Sequence, residues 1–141
     1  MEIGSPPTGE AGSALPERLA RRPGLGRRAE ALAAAALEAA GLRIIERNWR
    51  RPDGELDLIA LAADGTCVFV EVRSRTGTAS GDPLETITPR KQAQIIRAAR
   101  LYLDEAKPNA PAYRFDVIAV TFDDHGEPAL VHIPAAFETT R

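Results

Sequence analysis

Apolar residues recur along this chain in two rhythms, one with the period of a helix and one with the period of a strand. From Gly26 to Ala40 the chain is alanine-rich, and Gly41 follows, the residue type favoured just past a helix end. An apolar stripe through Leu25, Ala29, Leu32, Ala36 and Ala40 predicts a helix, with Glu30 on the shoulder of that stripe, seven residues before Leu37. Leu42 to Trp49 reads as an edge strand ringed by Arg43, Arg47, Arg50 and Arg51. Two strands follow. Glu55 to Leu61 sets Glu55, Asp57, Ile59 and Leu61 on one face against Leu56, Leu58 and Ala60 on the other. Cys67 to Arg73 sets Cys67, Phe69, Glu71 and Arg73 against Val68, Val70 and Val72. Both faces are largely apolar, which predicts central strands with a helix layer on each side, joined by a hairpin turn at Ala63-Asp64-Gly65.

Residues 76–87 are rich in Gly, Ser and Thr and read as a loop long enough to act as a mobile flap. Thr88-Pro89 starts a second helix, with Thr as N-cap and Pro at the first helical position. Ile95, Ala99 and Tyr102, with Ile96 and Leu103, form its core face, while Arg90, Gln94 and Arg97 share another side. Tyr113 to Phe122 is a further buried strand, and Asp123-Asp124-His125-Gly126 turns into a last one, Ala129 to Ile133. The order predicts an α/β sandwich around a mixed sheet of about five strands. Residues 1–23 lack apolar periodicity and read as a disordered arm, leaving one domain over 24–141.

Composition narrows the picture. A chain of 141 residues with 44% apolar content can bury a core. Cys67 is the only cysteine, so no internal disulfide forms, which suits a reducing compartment. No apolar run approaches the roughly 20 residues of a membrane span, and no basic-then-apolar leader opens the chain. The expectation is a cytoplasmic protein with no membrane partner. A net charge of −2 argues mildly against nucleic acid, but the charge is uneven: 15 of the 18 Lys and Arg lie between residues 18 and 100.

Strands built from Leu, Ile and Val seldom hold charged residues, because a buried carboxylate is normally paired or metal-bound. Asp57 and Glu71 therefore stand out, and whether they meet depends on hairpin register. Opposed residues in an antiparallel ladder share a face, so the two converge only if opposed numbers sum to an even value such as 128. A three-residue loop with Gly65 in the left-handed position does this, whereas a two-residue Asp64-Gly65 turn puts them on opposite faces. Converged, they offer hard oxygen ligands of the kind Mg²⁺ takes; the alternative is a structural ion pair with Arg73 or Arg75. Arg73 would face charge developing on a phosphate, and Glu30 could orient water or serve as an outer ligand. Glu55 is an accessory candidate with a structural alternative, a pair with Arg73. Arg47, Arg50, Arg51 and Arg75 are candidates for phosphate contacts. Trp49 could stack on a base, though core packing is the commoner use. Asp116 reads as a strand residue paired to Arg114. One cysteine and two unpaired histidines make a zinc site improbable.

Gly26-x-x-x-Glu30-x-x-Ala33, Glu46-Arg47-Asn48-Trp49-Arg50, Gly54-Glu55-Leu56-Asp57-Leu58-Ile59-Ala60, Val68-Phe69-Val70-Glu71-Val72-Arg73-Ser74-Arg75, Lys91 and Arg114-Phe115-Asp116-Val117-Ile118 together resemble the YraN family, collinearly from about residue 24 to 122. That family looks like a branch of the PD-(D/E)XK superfamily and is similar to Holliday-junction resolvases. The resemblance implies a restriction-endonuclease-like three-layer sandwich and a Mg²⁺- or Mn²⁺-dependent endonuclease acting on DNA, branched or single-stranded. Asp57 and Glu71 take its acidic positions. A non-catalytic nucleic-acid-binding module on the same fold is the alternative. Resolvase similarity also implies a homodimer, although no dimer interface is legible. One departure matters: the pattern expects Lys at position 73, and this chain has Arg. Arginine keeps the charge but cannot act as a base, and Lys91 at the start of the second helix is the candidate for the missing amine.

Overall fold

A computed structural model describes residues 23–77, 84 and 87–138. The predicted N-terminal arm, its basic residues Arg18, Arg21 and Arg22, and most of the predicted flap at 76–87 lie outside the described residues. The elements run α1 (Pro23–Ala39), β1 (Arg43–Arg51), β2 (Gly54–Leu61), β3 (Cys67–Thr76), α2 (Pro89–Ala106), β4 (Tyr113–Phe122) and β5 (Pro128–Phe137). The five strands form one mixed sheet in chain order, β1-β2-β3-β4-β5. Only β3 and β4 run parallel, as α2 is their crossover. The expected fold class is the observed one: an α/β sandwich of five strands between two helices. No helix among the described residues is long and apolar enough to cross a membrane.

Each helix covers one face of the sheet. Beneath α1, Ala29, Ala33, Ala34 and Leu37 pack on Leu58, Ala60, Val68, Val70, Ile118, Val120 and Phe122. Beneath α2, Ile95, Ala98, Ala99 and Tyr102 pack on Trp49, Leu56, Ile59, Cys67, Phe69, Phe115 and Val117. The buried stripe of α1 is turned by about one position from the sequence expectation. Ala33 and Ala34 are inside while Ala40 is exposed, because the helix closes at Ala39. Its end is a Schellman cap, in which Leu42 N–H donates to Leu37 O (3.0 Å) around Gly41 at φ +94°. At α2, Thr88 caps as expected, its hydroxyl accepting from Lys91 N–H at 3.1 Å.

A second departure concerns β2. Leu56 faces α2 with Ile59, not α1 with Leu58. The cause lies on its neighbour strand. Trp49 opposes Leu56 and Arg47 opposes Leu58, so Asn48 stands across from Asp57. Asn48 has a left-handed backbone, φ +51°, a conformation that Asn tolerates better than most residues. The side-chain alternation of β1 breaks there, Trp49 turns toward α2, and Leu56 goes with it. Trp49 is packed edge-on to Tyr102 with ring centroids 5.7 Å apart, which answers its sequence ambiguity in favour of the core.

The β1–β2 turn is pressed against α2. A Cβ added at Gly54 would sit 2.8 Å from Ala98 Cβ and 3.1 Å from its Cα. Gly54→Ala should therefore force turn and helix apart and lower stability by about 1–3 kcal/mol. Urea denaturation checks this; a midpoint equal to wild type would show that the contact relaxes freely.

Candidate metal centre and its surroundings

The β2–β3 hairpin has the register that brings the two acids together. Leu58 pairs with Val70, Ile59 with Phe69, Ala60 with Val68 and Leu61 with Cys67, each pair summing to 128. Ala62 N–H donates to Thr66 O and Gly65 N–H to Ala62 O, both at 2.9 Å, closing a three-residue loop. Gly65 occupies its left-handed position at φ +90°. Asp64 tightens the turn by accepting from Thr66 N–H at 3.0 Å. Asp57 and Glu71 consequently stand opposite each other, near enough for the Glu71 charge to act on Asp57.

Glu71 is buried, at 7% exposed, and Asp57 half-buried. Burial, reinforced by the neighbouring Glu71 charge, pushes the Asp57 carboxyl up to about 7, although Val72 N–H donates to its Oδ2 at 2.8 Å and works in the other direction. Two cations approach one oxygen of Glu71. Arg73 Nη1 is 3.3 Å from Oε2, and Lys91 Nζ, from the first turn of α2, is 3.7 Å from it. Glu71 Oε1 and Asp57 Oδ1 are thus the oxygens without an N–H donor among the described residues.

Glu30 approaches from the opposite layer. Burial raises its pKa first, Asn48 lowers it by a side-chain hydrogen bond, and the charge of Asp57 raises it. Asp57 is therefore felt from α1 through Glu30 and from α2 through Lys91, a consequence of its place at the break in alternation. Asn48 is a residue that sequence reasoning missed at this site. Its only sequence signal is an asparagine inside a strand-like run, the residue type most at ease with positive φ.

The remaining candidates separate. Glu55 pairs at 3.8 Å with Arg50, both exposed, and not with Arg73. Arg51 is held by Glu105 through Nε at 3.0 Å and through Nη2, and donates Nη1 to Arg50 O at 2.7 Å. Its guanidinium also lies 4.6 Å over Trp49, so this side chain ties β1 to α2. Arg75 Nε donates to Thr121 Oγ1 at 3.2 Å, and Arg47 is exposed. Asp116 is fully buried and pairs with Arg114 as expected, at 3.0 Å. It also meets His132 Nε2 at 2.9 Å and accepts from Ala135 N–H at 3.0 Å, clasping β5 to β4. Cys67 is a core residue whose thiol burial pushes up to about 11.

Among the described residues, no three His, Cys, Asp or Glu side chains form a ready-made metal cage. The donor set is the Asp57–Glu71 pair with Glu30 beside it. Two hard oxygens on opposed strands, without N–H donors among the described residues, fit a small divalent cation that keeps waters in its remaining positions.

A five-stranded mixed sheet between two helices, with paired acids on adjacent central strands, defines the class of this chain. The comparisons with known proteins go further. A model described as "Uncharacterised protein family UPF0102" matches residues 29–120. Among curated relatives, each a UPF0102 protein, one from Anaeromyxobacter dehalogenans is 49% identical over 83% of this chain and 86% of its own. Another from Geotalea daltonii is 46% identical over 81% and 89%, and one from Stutzerimonas stutzeri is 50% identical over 68% and 80%. The chain belongs to the UPF0102 family, the YraN family that its motifs resemble.

The Asp57 pKa has a consequence for stability. Folded, the carboxyl holds its proton up to about pH 7, and unfolded only to about 3.8. The folded chain binds the extra proton between those values, so this contribution is complete below the unfolded pKa and is lost as pH rises through 7. In chelator, thermal melts should show Asp57→Asn gaining stability over wild type as pH rises from about 5 to about 8. A gap between the two that stays constant with pH would show that Asp57 ionises normally.

Proposed function

We propose that this chain is a divalent-cation-dependent nuclease that hydrolyses phosphodiesters of DNA, with Asp57 and Glu71 holding Mg²⁺ or Mn²⁺. The observation that carries the reading is the forced opposition of these two acids in an apolar sheet, one of them raised to about 7. A cation bound there supplies charge to a phosphodiester oxygen and acidifies water. The protein's own groups do the rest. Arg73 places a fixed positive charge beside Glu71, where a phosphate would gain negative charge in the transition state. As a guanidinium it stays protonated, so it takes no proton. Lys91 brings an amine to the same oxygen of Glu71, the position from which it can steady a substrate phosphate or the leaving oxygen. Glu30, partly buried and raised, is placed to orient water or accept its proton.

A panel of labelled single-stranded, flapped, branched and duplex DNAs, incubated with Mg²⁺ or Mn²⁺, tests the reading. Cleavage should fall at least about 10²-fold in Asp57→Ala and in Glu71→Ala, and survive in Arg73→Lys. The same ions should raise the melting temperature more above pH 7 than below it, since binding must displace the Asp57 proton. DNA binding without cleavage, unrescued by Arg73→Lys, would instead establish a binding module.

A further inference from the structure

Beside the paired acids is a recess that the proposed chemistry does not use. A cavity of about 300 Å³ opens between the β1–β2 turn and α2, lined by Arg51, Asp53, Gly54, Glu55, Lys91, Gln94, Ile95 and Arg97. Its volume is at the lower end of the range for small-molecule sites. Its wall is preformed, because Gly54 is in close contact with Ala98 and Arg51 is fixed to Glu105 and Trp49. Lys91, Gln94 and Arg97 form one row on α2, about 9 Å long at the helical rise of 1.5 Å per residue. Lys91 joins the recess to the candidate centre, since its Nζ is also 3.7 Å from Glu71.

The lining is mixed in charge, and that selects the ligand. A bare inorganic anion would meet Asp53 and Glu55 as well as the cations. A nucleotide matches both: its phosphate suits Lys91 and Arg97, while its base offers amino and ring N–H groups to carboxylates and an amide. Arg97 is exposed and has no ion-pair partner among the described residues, so its guanidinium plane is available for stacking. A base within a duplex cannot enter a recess walled on two sides without leaving its stack.

We infer that this recess binds one unpaired nucleotide next to the phosphate at the paired acids, and so selects single-stranded or flapped DNA over continuous duplex. Its position relative to a cut rests on the nuclease reading, but the binding itself does not. Fluorescence anisotropy in chelator, with a short labelled DNA strand alone and annealed to its complement, separates the two. Wild type should prefer the single strand, and Arg97→Ala should lose that preference by about tenfold, with Gln94→Ala weakening it less. Equal affinity of wild type for both forms, or a preference unchanged in Arg97→Ala, would overturn the inference. Cleavage of single strands with an unaltered KM in Arg97→Ala would also overturn it while leaving the nuclease reading intact. Loss of the preference in Arg97→Ala, with no DNA cleaved by any form of the protein, would support the recess and remove the nuclease.

Discussion

The register of one hairpin governs this molecule. Strands β2 and β3 lie at the centre of the sheet, and each carries an acid on an otherwise apolar face. With opposed residues summing to 128, the apolar side chains from Leu58 to Leu61 and from Cys67 to Val70 reach their helices and the two acids are brought together. A slip of one residue would send each apolar set to the wrong layer and divide the acids between the two faces. The three-residue turn with Gly65 at positive φ holds the register. It is tied to the next strand, since Cys67 N–H donates to Ala112 O at 2.9 Å and Pro111 packs beside Gly65. The fold thus accepts an electrostatic conflict at its centre, offset by Val72 N–H, Arg73 and Lys91. A carboxyl perturbed in this way is what marks the centre as the functional-site candidate.

The two helix layers serve this centre differently. Small residues on α1 let the helix lie close to the sheet, which brings the side chain of Glu30 within reach of Asn48 and the field of Asp57. On the other side, α2 meets the sheet with its first turn over Glu71 and its later turns against Trp49, Phe69 and Gly54. Thr88 caps the helix with the backbone N–H of Lys91 itself, so the residue whose amine reaches Glu71 is also fixed by its main chain. The ion pair of Arg51 with Glu105 then anchors the sheet edge to the far end of the same helix. Turn, helix and centre form one rigid frame, which is what a recess needs to discriminate by shape.

Much of this was legible in the sequence, because it depends on periodicity and local turn chemistry. Alternation identified the central strands, Thr88-Pro89 marked a helix start, Gly41 a helix end, and the parity rule stated in advance which hairpin would join Asp57 to Glu71. The rest was not legible, for a common reason. The facing of Leu56 depends on a backbone angle at Asn48 in a different strand. The bonds of Arg51 to Glu105 and of Asp116 to His132 join positions far apart in sequence, and no pattern within either segment contains them. The stripe of α1 was misplaced by one position because an alanine-rich helix has little contrast between its faces. Periodicity reports which face a residue takes. It does not report which distant partner waits there.

Arginine at position 73 is the chemical peculiarity of the site, since the pattern that the chain resembles has lysine there. Within a strand, a lysine would offer one amine that can both balance the acids and exchange a proton. Here two side chains meet the same acid. Arg73 supplies permanent charge at 3.3 Å from Glu71 Oε2, and Lys91 brings its amine to 3.7 Å from the same atom. Both cations crowd one oxygen of Glu71, which leaves its Oε1 and Asp57 Oδ1 without an N–H donor among the described residues. Opposite charge therefore lies on one side of Glu71 and an acid on the other, and the Asp57 carboxyl is held raised, by burial first and by the Glu71 charge second.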